Sequence, residues 1–134
     1  VSAARVVVDS SGWIEVFTGG GQADYFVALM ADQGSLVVPA ITIFEVFKWV
    51  LREHGEAQAI QAVAAMQGAQ VVDLDSRLAL AAAQLSHGLQ LPMADSIILA
   101  TARDQQATLH TMDSDFKGIA DVEWRESGSA ESTP

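Results

Sequence analysis

Short runs of consecutive apolar, mostly β-branched residues alternate along the chain with longer segments whose apolar positions recur at helical spacing. Val6-Val7-Val8 stops abruptly at Asp9-Ser10-Ser11, which predicts a buried strand followed by helix-capping residues. The helix that follows carries Trp13, Ile14 and Phe17 and ends at Gly19-Gly20-Gly21. A second helix, over roughly 23–32, sets Tyr25, Phe26, Leu29 and Met30 near one stripe, with Gly34 closing it. Leu36-Val37-Val38 predicts a second strand, and Gln70-Val71-Val72 a third. Between these two, helices are expected over 42–52 and 56–66. Asp75 caps a helix running to Gly88, and Pro92 opens another over 93–106. A fourth strand follows over 108–111 and a fifth over 122–124. Strands without polar alternation, separated by helices, predict a parallel sheet covered on both faces. The fold class is therefore α/β: a short parallel sheet of four to five strands with helices on both sides.

The segment 42–52 departs from this pattern. Glu45, Lys48, Trp49 and Arg52 share one stripe, while Ile43, Phe44, Val46, Phe47, Val50 and Leu51 cover the remainder. One sheet cannot bury so wide an apolar arc. The helix either touches a second subunit or partner peptide as well as its own core, or lies buried inside the monomer.

With 134 residues, the chain suits one domain with a real core, expected over 1–126. The polar composition from Ser127 to Pro134 predicts a disordered tail. Cysteine is absent, which excludes disulfides and thiolate chemistry and suits a reducing cytoplasm. No apolar run reads as an export signal or a membrane span, so a soluble cytoplasmic protein is expected. Seventeen Asp and Glu against seven Lys and Arg give a net charge of −10, which excludes a broad electropositive surface. A nucleic acid would have to be held through a cation or a partner.

Ligands of open parallel sheets bind beyond the carboxyl ends of the strands. Asp9 ends the first strand, and Asp113 and Asp115 follow the fourth. Glu45 and Asp95 are expected in the first turns of the helices after Pro39 and Pro92. Taken singly, each has an ordinary explanation. Asp9 caps a helix, Thr42-Ile43-Phe44-Glu45 forms a capping box, Asp95 suits a helix dipole, and Asp113 and Asp115 form turns. Together they predict five carboxylates on one rim. Two unit charges about 4 Å apart repel by roughly 4 kcal/mol at an effective dielectric near 20. Such a cluster needs either protonated acids with raised pKa values or a hard divalent cation such as Mg²⁺ or Mn²⁺. The basic residues expected near the rim are Lys48, Arg52, Arg103 and Lys117. A metal there would suit in-line phosphodiester hydrolysis.

These residues resemble the motifs of PIN-domain ribonucleases, and more narrowly those of VapC toxins. The resemblance covers about Val6 to Gly118. It is carried by Val6-Val7-Val8-Asp9-Ser10-Ser11, by Pro39 to Glu45, by Gly88 to Ala102 around Pro92-Met93-Ala94-Asp95-Ser96, and by Leu109-His110-Thr111-Met112-Asp113-Ser114-Asp115-Phe116. It implies a Mg²⁺-dependent endoribonuclease, with Mn²⁺ able to substitute, acting as the toxin of a type II toxin–antitoxin pair. It also implies RNA as substrate, a homodimer and inhibition by a VapB-type antitoxin. Asp9, Glu45, Asp95 and Asp113 match the family's catalytic acids, with Asp9, Asp95 and Asp113 as metal ligands; Ser10, Thr111 and Asp115 match supporting positions. Trp13, Phe17, Phe44, Phe47 and Trp49 are the expected groove for an antitoxin helix.

Other chemistries fit less well. His54, His87 and His110 lack metal-ligand spacing, Gly19-Gly20-Gly21 lacks the Lys and Ser/Thr of a phosphate loop, and Ser10 and Ser11 lack a nucleophile-elbow context. A receiver-like phosphoacceptor domain would need an acidic pair at the first strand and a late-strand Lys. A non-catalytic PIN module that binds only protein is the remaining alternative.

Overall fold

The structure, a computed structural model, describes residues 4–127. Five parallel strands form the sheet: β1 (Arg5–Val8), β2 (Leu36–Pro39), β3 (Gln70–Val72), β4 (Ala107–Thr111) and β5 (Val122–Trp124), in the spatial order β3-β2-β1-β4-β5. The helices are α1 (Ser10–Thr18), α2 (Ala23–Met30), α3 (Ala40–His54), α4 (Glu56–Gln67), α5 (Ser76–Leu89) and α6 (Met93–Asp104), with a 3₁₀ turn at Ser114–Phe116. The α/β class, the parallel sheet and all five strands are as expected. Most of the predicted tail lies outside the described residues.

Alternating side chains on the strands divide the core in two. Val8, Leu36 and Val38 face Trp13, Phe26, Val46, Val50 and Met66 on the α1–α4 side. Val7, Val37 and Leu109 face Ile98, Leu99 and Ala102 of α6 on the other side, with Phe116 closing the end. Helix α1 approaches β1 closely because residue 12 is glycine. A Cβ at that position would come within 2.4 Å of Val8 Cγ1 and 2.8 Å of the Phe26 ring.

From β1 the chain builds outward to β2 and β3, then crosses back to place β4 and β5 on the other side of β1. The topological switch point thus lies between β1 and β4, where an open sheet forms its ligand crevice.

Helix boundaries differ from the sequence pattern where local hydrogen bonding intervenes. α2 ends at Met30, because Asp32 turns the chain by accepting from Gly34 N at 3.1 Å and from Ser35 Oγ at 2.8 Å. α6 ends at Asp104, and Gln106 adopts a left-handed φ of 55°. α3 begins at Ala40, directly after the extended Pro39, two residues before the expected start. The predicted capping box is therefore absent: Thr42 is fully buried within the helix, its hydroxyl has no partner among the described residues, and Glu45 lies in the second turn.

Candidate active site

The crevice is built from the C-terminal ends of β1 and β4. Asp9 follows β1 and caps α1, its Oδ1 accepting from Gly12 N at 3.3 Å. The same oxygen accepts from Ser11 Oγ at 2.6 Å, while Oδ2 accepts from Thr111 Oγ1 at 2.7 Å. Each hydroxyl in turn accepts a backbone N–H from the chain leaving β4: Met112 N donates to Ser11 Oγ at 3.1 Å, and Asp113 N to Thr111 Oγ1 at 2.9 Å. Asp9, only 3% exposed, is thus oriented on both oxygens by hydroxyls that also fasten β1 to β4. Ser11, read from sequence only as a capping residue, forms half of this clamp.

Asp113 caps the 3₁₀ turn by accepting from Asp115 N at 2.9 Å, which folds Asp115 back beside it. Asp95 enters from the first turn of α6. Carboxylate oxygens of Asp95, Asp113 and Asp115 lie within 4.8 Å of one another. The trio therefore includes Asp115, with Asp9 held in the wall behind it.

Electrostatics mark the same group. Burial lifts the Asp9 carboxyl from its ordinary 3.8 to about 6, against the pull of Ser11, Thr111 and Gly12, with the Asp113 charge adding to the rise. Asp95 is pushed up to about 7, first by burial and then by the Asp113 charge, a hydrogen bond with Asp115, and the charges of Asp115 and Asp9. The ion pairs among the described residues are Arg52–Glu53, Arg77–Asp104 and Arg103–Asp121, so none neutralises these carboxylates. Arg103, expected near this rim, stands instead at the far end of α6, where it also donates to the Ala120 carbonyl at 3.1 Å.

Glu45 occupies an adjoining groove. Ser10 Oγ donates to Glu45 Oε1 at 2.5 Å, which ties α3 to the residue next to Asp9. Ile14, Phe44, Lys48, Trp49 and Arg52 line the same groove. The five aromatic residues expected to form one partner surface are divided by the fold. Trp13 is buried at 3% exposure, and Phe47 packs against the core. Phe17 borders a separate hollow beside α4, leaving Phe44 and Trp49 in the groove.

The donor set fits a hard divalent cation. All of its groups are carboxylates, three of them converge, and their neighbourhood disfavours full ionisation without a counter-charge.

A fold and a crevice of this kind define a class. The profile of the PIN domain matches residues 6–122, and the chain belongs to the PIN-domain family. This removes the receiver-like reading. Among solved structures, a toxin–antitoxin complex from Klebsiella pneumoniae superposes with a TM-score of 0.75 at 27% identity, over 92% of this chain and 99% of that one. The DNA-bound VapBC of Salmonella typhimurium gives a TM-score of 0.69 at 14% identity, covering 92% and 98% of the two chains. Mycobacterium tuberculosis VapC20, described as a sarcin–ricin loop cleaving toxin, gives 0.69 at 19%, covering 90% and 99%. The resemblance to VapC-type toxins seen in the motifs thus extends to the whole fold. No curated protein sequence matches.

Proposed function

We propose that this chain is a divalent-metal-dependent endoribonuclease and the toxin of a type II toxin–antitoxin pair, its nuclease domain spanning residues 1–126. The observation that carries this reading is the convergence of Asp95, Asp113 and Asp115 at the switch point, with Asp9 clamped behind them and, among the described residues, no basic side chain paired to any of the four. The PIN-domain match and the toxin–antitoxin complex at 27% identity support it.

Asp95, Asp113 and Asp115 would hold Mg²⁺ or Mn²⁺, with Asp9 contributing its charge from behind. A cation bound there supplies charge stabilisation for a phosphodiester and a water of lowered pKa. The Ser11 and Thr111 hydroxyls fix the Asp9 carboxylate in one orientation. Glu45, held by Ser10, faces the groove through which substrate would arrive and is placed to orient a water or accept its proton.

Phe44, 59% exposed beside Trp49, offers a VapB-type antitoxin helix an apolar footing next to the site. A homodimer has a second apolar surface available in the groove between α5 and α6, lined by Ala79, Ala82, Ala83, Met93 and Ile97, with Met93 72% exposed. No helix among the described residues is long and apolar enough to cross a membrane, and we place the protein in the cytoplasm with its RNA.

The test is cleavage of single-stranded RNA by the purified chain with Mg²⁺, alongside growth on induction in a bacterial host. Cleavage and growth arrest, both abolished by Asp95→Asn or Asp9→Asn, are expected. Wild-type cleavage by both variants overturns the site assignment. Absence of cleavage with intact antitoxin binding would instead make the chain a non-catalytic PIN module.

A further inference from the structure

The net charge of −10 repels RNA at long range, so substrate capture depends on where the seven cationic side chains stand. Five are engaged. Arg5 is held by Gln105 and Gln70, Arg77 by Asp104, Arg103 by Asp121 and the Ala120 carbonyl, and Arg52 by Glu53. Arg125 stacks 3.9 Å over the Tyr25 ring and donates to Gln22 at 2.9 Å. Lys48 and Lys117 remain, with no carboxylate within ion-pair distance among the described residues.

The strand order sets the two lysines apart: Lys48 lies on α3, which follows β2 on one side of β1, and Lys117 lies between β4 and β5 on the other. Lys48 lies one helical turn beyond Glu45, in the groove that Ser10 joins to Asp9. Lys117 follows the 3₁₀ turn that carries Asp115. Each stands beside an aromatic ring: the Lys48 Nζ lies 5.8 Å from the centroid of Phe44, and the Lys117 Nζ 4.7 Å from that of Trp124. Trp124 pairs in register with Thr111, the residue that clamps Asp9.

Resting on the nuclease reading above, we infer that Lys48 with Phe44 and Lys117 with Trp124 are two substrate-positioning stations, so that a single-stranded RNA segment crosses the carboxylates from one to the other. Each lysine takes a backbone phosphate; the Phe44 ring, 59% exposed, offers a face to an unstacked base, while the half-buried Trp124 ring positions Lys117. With neither lysine paired to a carboxylate among the described residues, a polyanion suits both stations better than a protein helix.

The experiment compares wild type with Lys48→Gln, Lys117→Gln and the double variant, using a single-stranded RNA oligonucleotide with Mg²⁺. Arg77→Gln, far from the crevice, removes the same charge and serves as control. Each lysine variant is expected to raise KM about 5- to 10-fold with kcat within about 2-fold of wild type. Each should also lower the slope of log KM against log salt by about 0.7, the single-strand value for one lost phosphate contact. Arg77→Gln should change neither. Fluorescence anisotropy with an uncleavable 2′-O-methyl RNA reads the same contacts without catalysis, so loss of binding in the lysine variants supports the stations even if the chain proves inactive. Lysine variants that match Arg77→Gln in KM, binding and salt slope overturn the inference while leaving the nuclease reading intact. Loss of antitoxin co-purification with unchanged RNA binding also overturns it and assigns the lysines to the protein partner.

Discussion

Neighbouring residues at the end of β4 face opposite sides of the sheet and enter opposite electrostatic worlds. Thr111 points to the crevice, where Asp9, Asp95, Asp113 and Asp115 crowd together with no cationic side chain paired to them among the described residues. His110 points the other way, its Nδ1 2.8 Å from the Tyr25 hydroxyl, with the Arg125 guanidinium stacked on that ring and bonded to Gln22. The second region is a satisfied polar network of the kind that rigidifies a fold. The first opposes folding as long as its charges stand alone. Stability does not explain the crevice, so its carboxylates are arranged for something that arrives later.

The two regions differ most at Asp95. Asp95→Asn should lower RNA cleavage by about 100- to 1000-fold, the range that loss of one preorganised electrostatic group costs an active site. The same variant should melt at a higher temperature than wild type when metal-free, since it removes a repelled charge. An unchanged or lower melting point would show that the crowding carries no energetic cost.

The pH dependence sharpens the contrast. The Asp9 carboxyl sits at about 6 in the folded protein against an ordinary 3.8. Between those values the folded state binds more protons than the unfolded one, so stability falls as pH rises from about 4 to about 7. For Asp9 the fall amounts to about 3 kcal/mol, and the raised Asp95 acts in the same direction. Chemical denaturation across that window without metal should show the decline, and saturating Mg²⁺ should remove it. A flat metal-free profile would contradict the crowding.

Smaller effects separate the two regions. Thr111→Val deletes one hydroxyl of the Asp9 clamp and the acceptor of Asp113 N, and should cost about 2 kcal/mol together with most of the activity. Tyr25→Phe removes the hydrogen bond to His110 and should cost about 1 kcal/mol with cleavage unchanged. A Tyr25→Phe variant that loses activity would show the two faces to be coupled.

Much of this was legible in sequence because the signals were local. The apolar runs Val6-Val7-Val8 and Leu36-Val37-Val38 marked central strands, and Asp9 and Asp113 marked the ends of β1 and β4. What could not be read depended on the path of the chain. Glu45 moved to a second turn because α3 starts directly after Pro39. Asp115 joined the trio because its own N–H, bonded to Asp113, folds the chain back on itself. Trp13 went into the core because Gly12 lets α1 press against β1, a contact without a periodic signature. The pairing of Lys117 with Trp124 required the β4–β5 register and left no trace in spacing.

The crevice carboxylates tolerate one another only with a divalent cation among them, as we propose. A thermal-shift titration with Mn²⁺ at pH 7.5 tests it most directly. Wild type should gain melting temperature in a saturable manner, while Asp95→Asn, already higher at the start, should gain little. Parallel responses from the two proteins, or none from wild type, would contradict it.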